Sequence, residues 1–314
     1  MSLTIGVDVG GTKVAAGVVD DQGRILEKLR RPTPSTNPEL TAGVIAEVTN
    51  LLKAKYADVS GVGLGAAGFV DETRSVVLFA PNLAWRDEPL KQKVEKLTGL
   101  PVVVENDANA MAWGEYRFGA GRGEQHVVCV TLGTGIGGGI VIDGRLYRGR
   151  HGIGAELGHV RVVPDGRRCG CGNRGCWEQY ASGNALSHEA RDLARVEPKR
   201  AARMIELSGG TTEITGLAVS QAAREGDAAA LECFDTVAVW AGQGLADLTA
   251  TLDPGLFIIG GGLSAVADLF LEQMTKAFTE HVTGRGHRGL PEIRVAELGP
   301  DAGIVGAADL ARQE

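Results

Sequence analysis

The chain has 314 residues, 44% of them hydrophobic and 23% charged, and a formal net charge of -7. Such a length suggests two domains at about 100 to 200 residues each, and the acidic balance argues against nucleic acid or an anionic membrane as main partner. The N-terminus runs MSLTIGVDVG into a strand pattern without a basic segment and apolar signal core, and the longest uncharged run, Val127 to Ile142, is glycine-dense and too short for a bilayer, so a cytoplasmic protein is expected.

Leu3 to Val9 reads as an apolar strand, a Gly-Gly-Thr turn follows, and Val14 to Val19 returns as the second arm of a hairpin. Gln22 to Arg31 adds a third strand, and TPSTNPEL opens a helix of about fifteen residues ending near Tyr56. Val59 to Ala67 is a strand too apolar to be exposed on either face. Lys91 to Thr98 reads as a helix closed by Gly99, and Pro101 to Glu105 as a buried strand whose end carries Glu105, Asn106 and Asp107 before the helical ANAMAWGEYRFG.

The pattern then restarts. Val127 to Thr131 is a strand, LGTGIGGG a turn, and Ile140 to Ile142 the returning strand. A constant offset pairs Val7 with Val130, Gly10 with Gly133, Val18 with Val141 and Asp20 with Asp143. This weak internal repeat implies two lobes, each on a glycine-turn hairpin, with a cleft between them; chance similarity of two hairpins is the plain alternative. Tyr180 to Glu197 and Ser220 to Leu252 are long helical patterns, Phe257 to Ile259 a short buried strand, and DAGIVGAADLARQ a last helix expected to pack back on the first lobe. The expected division is residues 1–119 with the helix of 302–314, and residues 120–301.

Three glycine-rich turns follow buried strands. Asp8, Gly10, Gly11, Thr12 and Lys13 lie in the first, Gly133, Thr134 and Gly135 in the second, and Gly260, Gly261 and Gly262 in the third. Glycine leaves backbone N–H groups accessible to phosphate oxygens, so the three together favour a nucleotide, although any one alone would suit a plain hairpin. None matches a P-loop or a Rossmann fingerprint. Asp8 is placed to act on Mg²⁺ or its water shell, and Thr12 and Lys13 on the polyphosphate.

Cys169, Cys171 and Cys176 are interleaved with glycines, and His159 lies ten residues upstream of the first. Three thiolates and an imidazole form the closed tetrahedral shell of a structural zinc, which leaves no open position for a substrate and so acts as a brace. A reduced, metal-free turn or a disulfide is the alternative; a cytosolic-looking chain disfavours the disulfide. Cys129 and Cys233 read as core residues. Bracing His159 and Cys176 also orients Glu156 and Glu178. Asp107, after a buried strand and at the start of a helix, suits a general base for a hydroxyl that attacks phosphorus, though the position equally suits a helix N-cap. With Asn106, Glu156, His159 and Glu178 it makes a site that hydrogen-bonds a polyol.

DVGGTK (Asp8 to Lys13), Asn106-Asp107, the Glu156 to His159 segment and CGCGNRGCWE (Cys169 to Glu178) resemble the ROK family of repressors, open reading frames and kinases, over essentially the whole chain. Within it the chain is most similar to bacterial, actinobacterial-type glucokinases. The resemblance implies a two-lobed, actin-like or ribonuclease H-like α/β sugar kinase fold and an ATP- and Mg²⁺-dependent transfer to the 6-hydroxyl of glucose. It makes Asp107 the base, gives the hexose to Gly68, Asn106, Glu156, His159 and Glu178 with Asn82 as a weaker contact, and gives zinc to His159, Cys169, Cys171 and Cys176. A homodimer or homotetramer is implied as well. Family repressors carry a helix-turn-helix domain before the first strand, where this chain has two residues, so DNA binding is not expected. Another hexose, polyphosphate as donor, and a non-catalytic sugar sensor stay open as alternatives.

Overall fold

The computed structural model describes residues 2–313. The chain runs β1 (Leu3–Val9), β2 (Lys13–Val19), β3 (Ile25–Pro32), α1 (Pro38–Lys55), β4 (Val59–Ala66), then three short strands β5 (Phe69–Val70), β6 (Val77–Phe79) and β7 (Arg86–Glu88). It continues through α2 (Leu90–Thr98), β8 (Val102–Asn106), α3 (Asp107–Phe118), β9 (Val127–Leu132), β10 (Ile136–Ile142) and β11 (Arg145–Tyr147). The rest is mainly helical: α4 (Glu178–Ala181), α5 (Gly183–Val196), α6 (Ala202–Ser208), α7 (Gly216–Arg224), α8 (Ala228–Leu252), β12 (Leu256–Gly260), α9 (Leu271–His281), β13 (Glu292–Val295) and α10 (Ala302–Leu310). Two compact units result, one of Met1–Val128, Gly138–Ala155 and Ala296–Glu314, the other of Cys129–Gly137 and Glu156–Val295.

The first sheet has the order β3-β2-β1-β4-β8, with β1 antiparallel to β2 but parallel to β4, and β4 parallel to β8. The second has the corresponding order β11-β10-β9-β12-β13, with β12 and β13 parallel. The two hairpins of the internal repeat thus occupy equivalent places in two five-stranded sheets. β5, β6 and β7 form a separate antiparallel sheet that the sequence reading did not anticipate, because two- and three-residue strands are too short for an alternating pattern to register.

Side chains of β1 alternate, as a strand requires. Ile5, Val7 and Val9 join Ile45, Val48 and Leu52 of α1 and Leu90 and Val94 of α2 in one apolar core. The opposite face is built for close approach. In β4, Val62, Leu64 and Ala66 enter that core while Gly61, Gly63 and Gly65 alternate with them. A Cβ added at Gly63 would stand 1.8 Å from the Ala307 carbonyl oxygen, and one at Gly6 1.8 Å from that of Ile304, so α10 lies directly on a glycine surface. Thr4 Oγ1 donates to the Ala308 carbonyl at 2.8 Å, and buried Asp309 accepts from Trp113 Nε1 at 2.9 Å, which ties α10 to β1 and α3.

Several elements differ from their expected extents. The second glycine turn is short, because β10 begins at Ile136 and leaves only Gly133 to Gly135 as turn. The two long helical patterns are each broken. Ser182 is extended and caps α5 by accepting from Ala185 N at 3.2 Å, and Gly226 at φ 86° ends α7 before Asp227 caps α8. Each break takes only a few residues, so the helical period on either side remains in phase to the eye.

Candidate active site

In the first unit, β1 delivers Asp8 to the start of the turn that Gly10 N closes by donating to the Lys13 carbonyl at 3.0 Å. Lys13 Nζ lies 3.8 Å from Asp8 Oδ2. Burial raises the Asp8 carboxyl above its ordinary value and Lys13 offsets that only in part, so a cation beside it would be welcome. Thr33 Oγ1 donates to the Gly10 carbonyl at 2.7 Å and Thr33 N to that of Thr12 at 3.2 Å, which holds the turn open at Gly11. An added Cβ at Gly11 would sit 3.0 Å from Asn82 Cβ, so the exposed Asn82 stands against this turn.

At the end of β8 the backbone passes directly into α3. Asn106 caps the helix, its Oδ1 accepting from Asn109 N at 3.0 Å, and its Nδ2 donates to the Gly68 carbonyl at 3.1 Å. Asp107 is the first helical residue and half-buried, so its carboxylate belongs to the positive end of a three-turn helix without serving as the cap. Gly68 has no room for a side chain, since a Cβ there would stand 2.5 Å from the Phe79 carbonyl oxygen. Behind these residues Glu105, 1% exposed, accepts from Asn106 N at 3.0 Å and Asn109 Nδ2 at 3.1 Å and pairs with Arg74 and Arg148. The sequence reading gave these three charged residues no role, and their wide separation along the chain offers no signal.

In the second unit His159, Cys169, Cys171 and Cys176 place one ligand atom each within 4.8 Å of all the others. His159 Nδ1 is 3.6 Å from Cys169 Sγ, and Cys171 Sγ is 3.6 Å from Cys176 Sγ. A tetrahedral zinc with sulfur at about 2.3 Å has ligand edges of about 3.8 Å, so the donor set and its spacing fit that ion. Burial pushes the Cys169 and Cys176 thiols up. Burial acts on Cys171 too, but the Asn173 amide and the neighbouring thiols outweigh it and hold Cys171 below its ordinary value. Cys171 lies on the exposed side of the cluster, and Cys169 and Cys176 are buried.

Glu178 stands beside this cluster, Oε1 being 2.9 Å from Cys169 Sγ and 3.8 Å from His159 Nδ1. It also faces the second glycine turn, because a Cβ at Gly135 would meet Glu178 Oε2 at 2.3 Å. Glu156 precedes the 3₁₀ turn Leu157–His159. Burial raises its carboxyl, His159 opposes the rise and Glu178 adds to it. The Gly133 carbonyl accepts from Gly183 N at 2.7 Å, docking that turn on the start of α5. Gly261, at φ 81°, would bring a Cβ 2.6 Å from the Leu132 carbonyl oxygen, so the third glycine turn lies against the end of β9. Each unit thus gathers its own share of the expected site residues: Asp8 to Lys13 with Asn82, and Gly68 with Asn106 and Asp107, in the first; the second and third glycine turns, Glu156, Glu178 and the His/Cys cluster in the other.

The sequence profile described as the ROK family matches residues 4–314. A glucokinase of Streptomyces coelicolor is 52% identical over 314 residues, covering 100% of this chain and 98% of that one. Among solved structures, a ROK family glucokinase from Streptomyces griseus in complex with glucose and AMPPNP superposes with a TM-score of 0.90 at 54% identity, covering 99% of this chain and 100% of that one. A ROK hexokinase from Thermus thermophilus gives 0.84 at 36% identity, covering 99% and 98%.

Proposed function

Because this chain belongs to the ROK family, we propose that it is an ATP-dependent kinase that moves the γ-phosphoryl group to the 6-hydroxyl of glucose, giving glucose 6-phosphate and ADP. Its fold is the actin-like, ribonuclease H-like α/β fold of that family. The observation that carries the mechanism is Asp107 at the amino end of α3, with Asn106 and not Asp107 acting as the cap. Asp107 accepts the proton of the sugar 6-hydroxyl as that oxygen attacks the γ-phosphorus in line, and the bond from that phosphorus to the bridging oxygen breaks to release ADP. Asn106 with the Gly68 segment, Glu156, His159 and Glu178 accept and donate to the remaining hydroxyls, and Asn82 contributes beside them.

Asp8, Gly10, Gly11, Thr12 and Lys13, with Gly133 to Gly135 and Gly260 to Gly262, receive the nucleotide through backbone N–H groups and the Lys13 ammonium. Bound Mg²⁺ would screen the phosphate charge near Asp8. Zinc on His159, Cys169, Cys171 and Cys176 would brace the segment that leads into α4, whose first residue is Glu178. A cytoplasmic homodimer or homotetramer belongs to the same reading, and light scattering on the purified protein reads its mass. Among the described residues no helix is long and apolar enough to cross a membrane.

The test is ADP release with Mg-ATP against glucose, mannose, fructose, N-acetylglucosamine and N-acetylmannosamine. Glucose turning over well above the rest is the expected result. Preference for another sugar would retain the chemistry and replace the substrate, and no turnover with any would overturn the ATP-dependent reading in favour of another donor or a non-catalytic sensor.

A further inference from the structure

Glu105 is a carboxylate with almost no access to water, one residue before the cap and two before the proposed base. Its two oxygens do different things. Oε1 accepts from the backbone N–H of Asn106 and from the side chain of Asn109, so it holds the junction between β8 and the first turn of α3. Oε2 faces two guanidinium groups, Arg74 Nη2 at 3.2 Å and Arg148 Nε at 2.8 Å. The Arg148 contact is close but not aligned for a linear hydrogen bond, so it acts as an ion pair. Both arginine side chains are themselves largely buried, at 18% and 14% exposure.

The arginines are anchored from elsewhere. Arg148 donates Nη2 to the Asp71 carbonyl at 2.9 Å and Nη1 to that of Glu72 at 3.2 Å, while its own carbonyl accepts from Gly154 N at 2.9 Å. Arg74 sits at φ 56°, a left-handed conformation uncommon for a residue other than glycine, and its carbonyl accepts from Val104 N at 3.1 Å. The Asp71 carboxylate holds that turn by accepting from Ser75 N and Val76 N, each at 2.9 Å. A buried cluster of this kind contributes little net stability compared with apolar packing of the same volume. What it does supply is direction: three charges whose geometry is mutually determined, bonded to the backbone that carries Asn106 and Asp107.

We infer that Arg148 and Arg74, acting through Glu105, are positioning residues for the phosphoryl transfer, holding the end of β8 and the first turn of α3 so that Asp107 is aimed at the sugar hydroxyl. This rests on Asp107 being the base. A group that aims the base acts on the transition state, so its loss lowers kcat and leaves ground-state binding in place.

The experiment compares wild type with Arg148→Met, which keeps volume and removes charge, and Arg148→Lys, which keeps charge, alone and combined with Asp107→Ala, and with Arg148→Ala, which leaves room for added guanidinium. Arg148→Met is expected to lower kcat by about tenfold or more while KM for glucose and for Mg-ATP stays within about threefold, with glucose binding by calorimetry unchanged on the same scale. Arg148→Lys restores part of the rate, and millimolar guanidinium added to Arg148→Ala raises its kcat without raising that of wild type. In the Asp107→Ala background the Arg148→Met effect disappears, since there is no base left to aim. An unchanged kcat in Arg148→Met, a rise in KM at constant kcat, or an activity loss that only follows the folded fraction would each overturn the inference. Full turnover by Asp107→Ala alone would instead overturn the base on which it rests, and the two failures are read from separate variants.

Discussion

Asp107 and the acidic turn residues show how position, not residue type, decides what a carboxylate does. Substituting Asp107→Ala is expected to lower kcat by about a hundredfold to ten-thousandfold while glucose affinity stays within about tenfold, because a general base acts mainly in the transition state. Steady-state kinetics beside calorimetric titration with glucose separates the two, and a collapse of binding with a preserved rate would refute the assignment. Asp20 and Asp71 do structural work. Burial alone would raise both carboxyls, but N–H and guanidinium donors at Arg24 and the Gln22 amide outweigh it at Asp20, as do the Thr73 hydroxyl and the Val76, Ser75 and Thr73 amides at Asp71. Both are therefore held below the ordinary 3.8. A depressed native value means the unfolded chain binds protons first, so their stabilisation is complete above that ordinary value and drains away as pH falls through the native one. Urea midpoints measured from neutral pH down to about pH 3 should fall less steeply in Asp20→Asn than in wild type, and parallel curves would show that Asp20 carries no such linkage.

At the level of elements, α10 and β4 are matched by what they lack. The alternation in VSGVGLGA puts valine, leucine and alanine on the face toward α1 and α2, and glycine on the face toward α10 and α3. Gly63→Ala would force its Cβ against the Ala307 carbonyl and should cost about 1 to 3 kcal/mol or more, since neither backbone can yield alone. Gly43 in the middle of α1 has nothing within 4 Å of an added Cβ, so Gly43→Ala should stabilise by about 0.5 to 1 kcal/mol. Chemical denaturation of the two variants side by side tests the contrast, and equal effects would contradict it. Where the sequence reading ran two helices together, one break was legible and the other was not. Gly226 followed by Asp227 is a helix stop followed by a helix cap, a signal present in the residues themselves. Ser182 breaks α4 from α5 because Gly183 N is taken by the Gly133 carbonyl, a partner supplied by a distant turn.

For the molecule as a whole, the metal proposed on His159, Cys169, Cys171 and Cys176 makes that cluster the brace of the second unit's site. Metal analysis of the purified protein should find a single zinc per chain, and Cys171→Ser should lose it together with much of the activity, because Glu178 is held beside the cluster. Full activity in metal-free protein would exclude the brace. The residues alone determined the repeated glycine hairpins, the His/Cys cluster, the strand ending in Asn106 and Asp107, and the family to which these motifs point, because each is a local pattern of residue type and spacing. Only the tertiary structure decided that Asn106 is the cap, that Gly6 and Gly63 form a landing surface for α10, and that Arg74 and Arg148 converge on Glu105. These depend on which distant backbone arrives at a given atom, and a one-dimensional pattern carries periodicity and composition but not the partner that burial brings to each polar group.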